Sequence, residues 1–156
     1  MKITIIQVGK TKDSYIEEGF AEYVKRLQGF CDLEIVTLKE STGDKNRETH
    51  MKEEGKTILE KLSKYDGWHK ILLGIKAKNP SSEEFAVQIK DVRDFGKGKI
   101  LFLVGGPYGV TQEVIKACDE ILSFGRMTFT HQMIRLMLLE QIYRAFTIMG
   151  GKSYHY

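Results

Sequence analysis

Apolar and polar positions along the chain switch repeatedly between a two-residue and a helical period. Lys2–Val8 alternates and then turns continuously apolar, which predicts a first β-strand. Ile16, Phe20, Tyr23, Val24 and Leu27 share one helical face, so a helix is expected over Tyr15–Leu27, capped by Asp13 or Ser14 and ended by Gly29. Leu33–Leu38 reads as a second strand and the charged stretch Lys39–Arg47 as a loop. From about Glu48 to Lys64 a thin stripe of Met51, Ile58, Leu59 and Leu62 predicts a helix. Its lysines and glutamates form a solvated face, His50 is expected on the surface, and Gly55 costs about 1 kcal/mol relative to alanine. Asp66-Gly67 turns the chain into a third strand, Lys70–Ile75, whose apolar run fits burial on both faces; Asn79-Pro80 breaks it. Ser81 and Glu84 are spaced as a capping box for a helix over Glu83–Phe95, with Phe85, Ile89 and Val92 inward.

The last third is more distinctive. A strand, Ile100–Val104, runs into the turn Gly105-Gly106-Pro107-Tyr108-Gly109. A short helix from about Thr111, a short strand over Glu120–Phe124 and the loop Gly125-Arg126-Met127-Thr128-Phe129-Thr130 follow. A long helix then spans about Gln132 to Met149, and the chain ends on Ser153-Tyr154-His155-Tyr156. Strand and helix alternate throughout, without an internal repeat or a dividing linker. This predicts an α/β fold with a mainly parallel sheet flanked by helices, one domain over residues 1–156. In such a sheet the two loops that follow strands lie close together and suit a small ligand. The last helix is apolar nearly all round, from Met133 to Met149, which argues for a partner subunit covering it.

Composition adds exclusions. With 42% hydrophobic and 29% charged residues the chain is ordinary for a soluble protein, and charges interrupt every candidate membrane span. Met1–Lys10 reads as a strand rather than a signal peptide. Cys31 and Cys118 stand far apart, without metal-binding spacing, so neither a disulfide framework nor a metal site is expected. Cys118 reads as a small core residue, and the whole as a reduced, cytoplasmic protein. Residues 1–124 carry 20 Lys and Arg against 20 Asp and Glu. The net charge of +3 therefore comes from the last segment, where Arg126, Arg135, Arg144 and Lys152 face only Glu140. A basic excess beside a ligand site favours an anionic partner such as RNA.

Two glycine motifs fail as nucleotide fingerprints. Gly9-Lys10-Thr11 lacks the glycine five residues earlier that a P-loop needs, since Thr4 stands there. Gly105–Gly109 lacks the dinucleotide-binding spacing and follows a late strand. Alone it is a tight turn; beside the Gly125–Thr130 loop it suits close backbone approach to a flat heteroaromatic ring, enclosed by Met127 and Phe129. His131/Arg135 and Glu140/Arg144 are i,i+4 pairs on the last helix.

The run from Gly105 to Tyr156 resembles the RlmH family of SPOUT-superfamily methyltransferases, which modify a pseudouridine of large-subunit ribosomal RNA. The motifs that carry the likeness are GGPYG, SFGRMTFTHQMIR, LLEQIYRAF and the terminal YHY. The start, MKI…VGK, and the length are similar too, so the likeness spans essentially the whole chain. It implies a SPOUT-type fold with a C-terminal trefoil knot, a homodimer, and a 23S rRNA substrate in the ribosome. It also implies S-adenosylmethionine held by Leu73, Gly105, Gly106, Phe124, Gly125, Arg126, Met127, Thr128 and Phe129. Thr130 stands where the pattern has proline before the histidine. Candidate catalytic residues are His155, Tyr154 and Glu140 as bases or orienting groups, with Arg144, Arg135 and Arg126 for phosphate or a developing anion. Two further classes remain beside this one: a non-catalytic RNA- or ribosome-binding protein, and a flavodoxin-like small-molecule enzyme with its cofactor at the first strand.

Overall fold

A computed structural model describes residues 1–151. Five strands, β1 (Lys2–Val8), β2 (Asp32–Leu38), β3 (His69–Lys78), β4 (Lys99–Val104) and β5 (Glu120–Leu122), form one sheet. Between and after them lie α1 (Ser14–Leu27), α2 (Arg47–Leu62), α3 (Ser82–Asp94), α4 (Gln112–Lys116) and α5 (His131–Met149). The strand order is β2-β1-β4-β3-β5 and every pairing is parallel. It differs from the 2-1-3-4-5 order of flavodoxin-like folds in the exchange of the third and fourth strands.

This order decides where the helices go. Successive crossovers step alternately left and right along the sheet, so connections of one hand place successive helices on opposite faces. The two cores follow from it. On one face Ile3, Ile5, Ile71, Ile100, Phe102 and Val104 pack with Leu27 of α1, with Phe85 and Ile89 of α3, and with Leu138, Leu139 and Ile142 of α5. On the other, Ile6, Val8, Leu72, Leu101 and Leu103 meet Ile58 and Leu62 of α2 and Val114 of α4. Adjacent strand residues fall into different cores because side chains alternate across a strand.

Three local features differ from the sequence pattern. β3 runs past Ile75 to Lys78, and burial on both faces holds only beside β4, at Ile71 and Leu72; further on Ile75 is exposed. The expected capping box is present at Ser81 and Glu84, while α2 is capped by Asn46, whose side chain accepts from Thr49 N–H at 2.8 Å. The third concerns α5. Its buried apolar residues, Leu138, Leu139, Ile142, Ala145 and Phe146, are covered by this chain's own sheet, α1 and α3. Most of its apolar circumference is therefore accounted for without a partner. Leu139→Ala, at a fully buried site, is expected to cost about 2–5 kcal/mol in urea unfolding; a cost near zero would contradict this packing.

Candidate functional site

β4, β3 and β5 are neighbours and parallel, so the loops leaving their C-terminal ends adjoin at one edge. The loop after β4 closes on itself: Gly109 N–H donates to Gly106 O at 3.1 Å, and Gly109 has φ 91°. A Cβ on Gly105 would lie 2.7 Å from Val110 Cγ1, so this glycine lets the loop fold onto its own following residue. Helix α2 braces the loop from outside. Arg47 donates to Tyr108 O from Nε at 3.2 Å and Nη2 at 3.0 Å, and the His50 ring stacks on Tyr108 with centroids 5.0 Å apart. His50 is thus buried, not a surface residue, because Tyr108 covers it and Ser41 Oγ lies 2.9 Å from its Nδ1.

The loop after β5 is held by Ser123. Its buried hydroxyl lies 3.2 Å from Ile75 O and 2.9 Å from Gly125 O, and accepts from Gly125 N–H at 3.2 Å. Ser123 N–H donates to Lys78 O at 3.0 Å, which draws the end of β3 past β5. Gly125 sits at φ 121° with open space where a side chain would start, so backbone and ligand can meet there. Thr130 has φ −61°, a value proline would also impose, and its Oγ1 caps α5 by accepting from Met133 N–H at 3.2 Å. Threonine keeps the backbone setting and adds a cap.

Exposed apolar side chains stand on these loops, Tyr108, Phe129 and above all Met127, 76% exposed, and on β3 at Ile75. Such a concentration on a polar surface marks a contact site. Leu73, Gly105, Gly106 and Phe124–Phe129 thus share the edge, with Leu73, Phe124 and the glycines of the pair half-buried and Arg126 to Phe129 exposed.

The remaining candidates stand elsewhere. Arg135, expected to meet phosphate, is fully buried; it donates to Val8 O and, at 3.4 Å, to Thr11 Oγ1. Burial pulls its guanidinium down to about 10, partly offset by Glu40, so it stays charged while pinning α5 to the turn after β1. Gln132 assists, its Oε1 accepting from Lys12 N–H at 2.5 Å. Burial first, then the Arg135 charge, lowers the pKa of His131 at the helix start. Glu140 and Arg144 form the expected pair, Oε1 to Nη2 at 2.6 Å, with Gln141 donating to Glu140 at 2.7 Å. At ~1.5 Å per residue they lie roughly 14 and 20 Å along α5 from its start, away from this chain's own loops. Tyr154 and His155 lie outside the described residues.

Sequence reasoning missed the support beneath the loops. Gly74 has no room for a Cβ, which would lie 2.7 Å from Ile121 Cγ2. Ser123, His50 and Glu54 are the other omissions; a serine two residues before Gly125 was the available signal for the first. A cavity of about 590 Å³ opens at the opposite edge beside Phe30 and Cys31, and another of about 240 Å³ lies between residues 39–45 and α2. The adjoining-loop geometry, rather than either cavity, defines the candidate site. Among the described residues no cluster of three His, Cys, Asp or Glu could hold a metal, and no helix is long and apolar enough to cross a membrane.

A five-stranded parallel sheet flanked by helices is accompanied by a family match over nearly the whole chain. The model described as "Predicted SPOUT methyltransferase" matches residues 1–155, and the chain belongs to the SPOUT methyltransferase family. Among its relatives is Ribosomal RNA large subunit methyltransferase H of Bacillus cereus, 45% identical over 160 aligned positions covering 99% of each chain. The protein of the same name from Bacillus thuringiensis is 44% identical with the same coverage. A looser structural likeness, TM-score 0.47 at 12% identity over 82% of this chain and 69% of the other, links it to Archaeoglobus fulgidus Nep1 bound to S-adenosylhomocysteine.

Removing the Ser123 hydroxyl isolates the loop's anchor. Ser123→Ala is expected to cost about 0.5–1.5 kcal/mol, because it removes the hydroxyl that ties the backbone of Gly125 to that of Ile75, and to speed amide exchange at Gly125. Unchanged exchange there would show that the loop is held by something else.

Proposed function

We propose that this protein is an S-adenosylmethionine-dependent methyltransferase acting on N3 of a pseudouridine in 23S rRNA of the ribosome. In this reading it works in the cytoplasm as a homodimer with a knotted C-terminal segment. The observation that carries it is the whole-chain membership of a methyltransferase family together with open-faced Gly125 and exposed Met127 and Phe129 on one edge.

The residues suit the cofactor. Leu73, Gly105, Gly106 and Phe124–Phe129 would hold it, backbone groups meeting the polar edge of its base and Met127 and Phe129 covering the ring. Bound S-adenosylmethionine supplies a methyl group already activated on a sulfonium. The task left to the chain is to orient the acceptor in line, exclude water and take the imide proton. His155 is the proposed proton acceptor, since an imidazole titrates near working pH, with Tyr154 orienting the base. Glu140, already accepting from Arg144 and Gln141, holds the Arg144 guanidinium in place for phosphate. Arg126, exposed on the β5 loop, is a second phosphate contact.

Glu140 and Arg144 stand far along α5, so in this scheme they serve the partner's site. Met133, Met137, Glu140 and Arg144 follow one another at helical spacing and are half-buried, outside the set packed on the sheet. This stripe is the proposed dimer face, replacing the wider surface that hydropathy alone suggested.

Two outcomes are expected. Calorimetry should show S-adenosylmethionine binding, retained when residues 153–156 are removed while methyl transfer is lost; transfer at the full rate by the shortened chain would remove the tail from catalysis. Met137→Lys should give a folded monomer in sedimentation, and a native chain that sediments as a monomer would defeat the dimer.

A further inference from the structure

Helix α2 contributes no residue to that chemistry, yet its inner face carries a buried polar cluster directly against the cofactor loop. Glu54 is 3% exposed. Its Oε1 accepts from Ser41 N–H at 3.0 Å, and its Oε2 has no hydrogen-bond partner among the described residues. The carboxyl group lies against Gly106: a Cβ there would overlap Oε2 and sit 3.1 Å from Cδ. The same helix grips the loop at two more points, His50 stacked on Tyr108 and Arg47 bonded to Tyr108 O. Ser41 completes the cluster, its Oγ 2.9 Å from His50 Nδ1 and 2.5 Å from Glu53 Oε2.

A buried carboxyl group with an unpaired oxygen is destabilising, so its place against a bare glycine calls for a physical reason. Packing supplies one. Gly106 has no side chain, and the Glu54 carboxyl group fills the space that a side chain would take. The height of the loop above α2 is set by that contact, and Arg47 and His50 fix its tilt. We propose that Glu54 is a positioning residue for cofactor binding: its carboxyl group, held by Ser41 N–H, is the shelf on which Gly105–Gly109 rests, and Arg47 and His50 lock that loop to α2. The inference rests on the cofactor reading above for its ligand, and on this contact alone for its mechanism.

Burial pushes the Glu54 carboxyl upward; Ser41 N–H and His50 pull it down, and Glu40 and Glu53 push it up further, with Lys45 engaged by Glu53. With the folded value above the unfolded one, ionisation at higher pH opposes folding; that penalty fades as pH falls through the raised folded value and is gone below the ordinary 4.5. Glu54→Gln should therefore unfold at a higher temperature than the parent at neutral pH, the gap closing toward acid.

The decisive experiment is a double-mutant cycle read by S-adenosylmethionine calorimetry. Glu54→Ala and Gly106→Ala should each weaken binding roughly tenfold, about 1.4 kcal/mol. Glu54→Gln, which fills the same space, should stay within about threefold on the same scale. Combining Glu54→Ala with Gly106→Ala should restore affinity above that of Gly106→Ala alone, because the new methyl group takes the vacated place. No recovery, or parental affinity in Glu54→Ala, overturns the shelf. Should Glu54→Ala fail to fold, unchanged affinity in Gly106→Ala overturns it and a loss supports it. If the parent chain binds no S-adenosylmethionine, the proposed function falls, and amide exchange at Tyr108 and Gly109 judges the shelf separately. Faster exchange in Gly106→Ala than in Glu54→Gln supports it, and equal exchange overturns it.

Discussion

The edge proposed to bind the ligand depends on the burial of β4. That strand is hydrogen-bonded to β1 on one side and β3 on the other, and Ile100–Val104 are at most 2% exposed. Removing side chains of this kind from water contributes about 1.5–3 kcal/mol each, so the strand has little freedom to slide or tilt. Its last residue, Val104, leads directly into Gly105, and the position of the following loop is inherited from the core rather than set locally. β3 and β5 take their register from the same source, through pairs such as Leu72 with Leu103 and Leu73 with Leu122.

Helix α5 closes the arrangement by a different means. Its apolar residues lie on the sheet between α1 and α3, while its first turns are tied to the segment after β1 by Gln132 and the buried Arg135. A guanidinium buried with no carboxylate at bonding distance among the described residues is an expensive anchor, and losing its carbonyl partner would leave the buried charge without that bond. That asymmetry makes the start of α5 a fixed point. The Gly125–Thr130 loop is therefore held at both ends, by Ser123 and by the Thr130 cap.

Much of this was legible in the chain. The apolar run Ile100–Val104 could only be a buried strand, and Ser81 with Glu84 marked a helix start that the structure reproduces. The loops that bear the candidate cofactor residues were visible as glycine-bearing breaks after strands. What escaped was tertiary. A helix apolar on most sides looks the same whether its cover comes from another subunit or from two helices of its own chain, so α5 was assigned too wide an interface. Arg135 reads as a surface cation because no local pattern announces that Val8 will receive it. Helix α2 misled in the same way: among many solvated charges, nothing in the spacing singles out His50 and Glu54 as the two that Tyr108 and Gly106 cover. Gly74 was missed because the need for a bare backbone comes from Ile121 on a strand far along the chain.

The central claim is that this edge transfers a methyl group to large-subunit ribosomal RNA, and radiolabelled S-adenosylmethionine tests it directly. The purified protein is incubated with ribosomes lacking the modification, and the digested 23S rRNA is resolved by mass spectrometry. The expected result is one labelled nucleoside, an N3-methylated pseudouridine, formed on ribosomes and depleted when Gly125 is replaced by valine. Label absent from the RNA, or appearing on another base, would contradict the account.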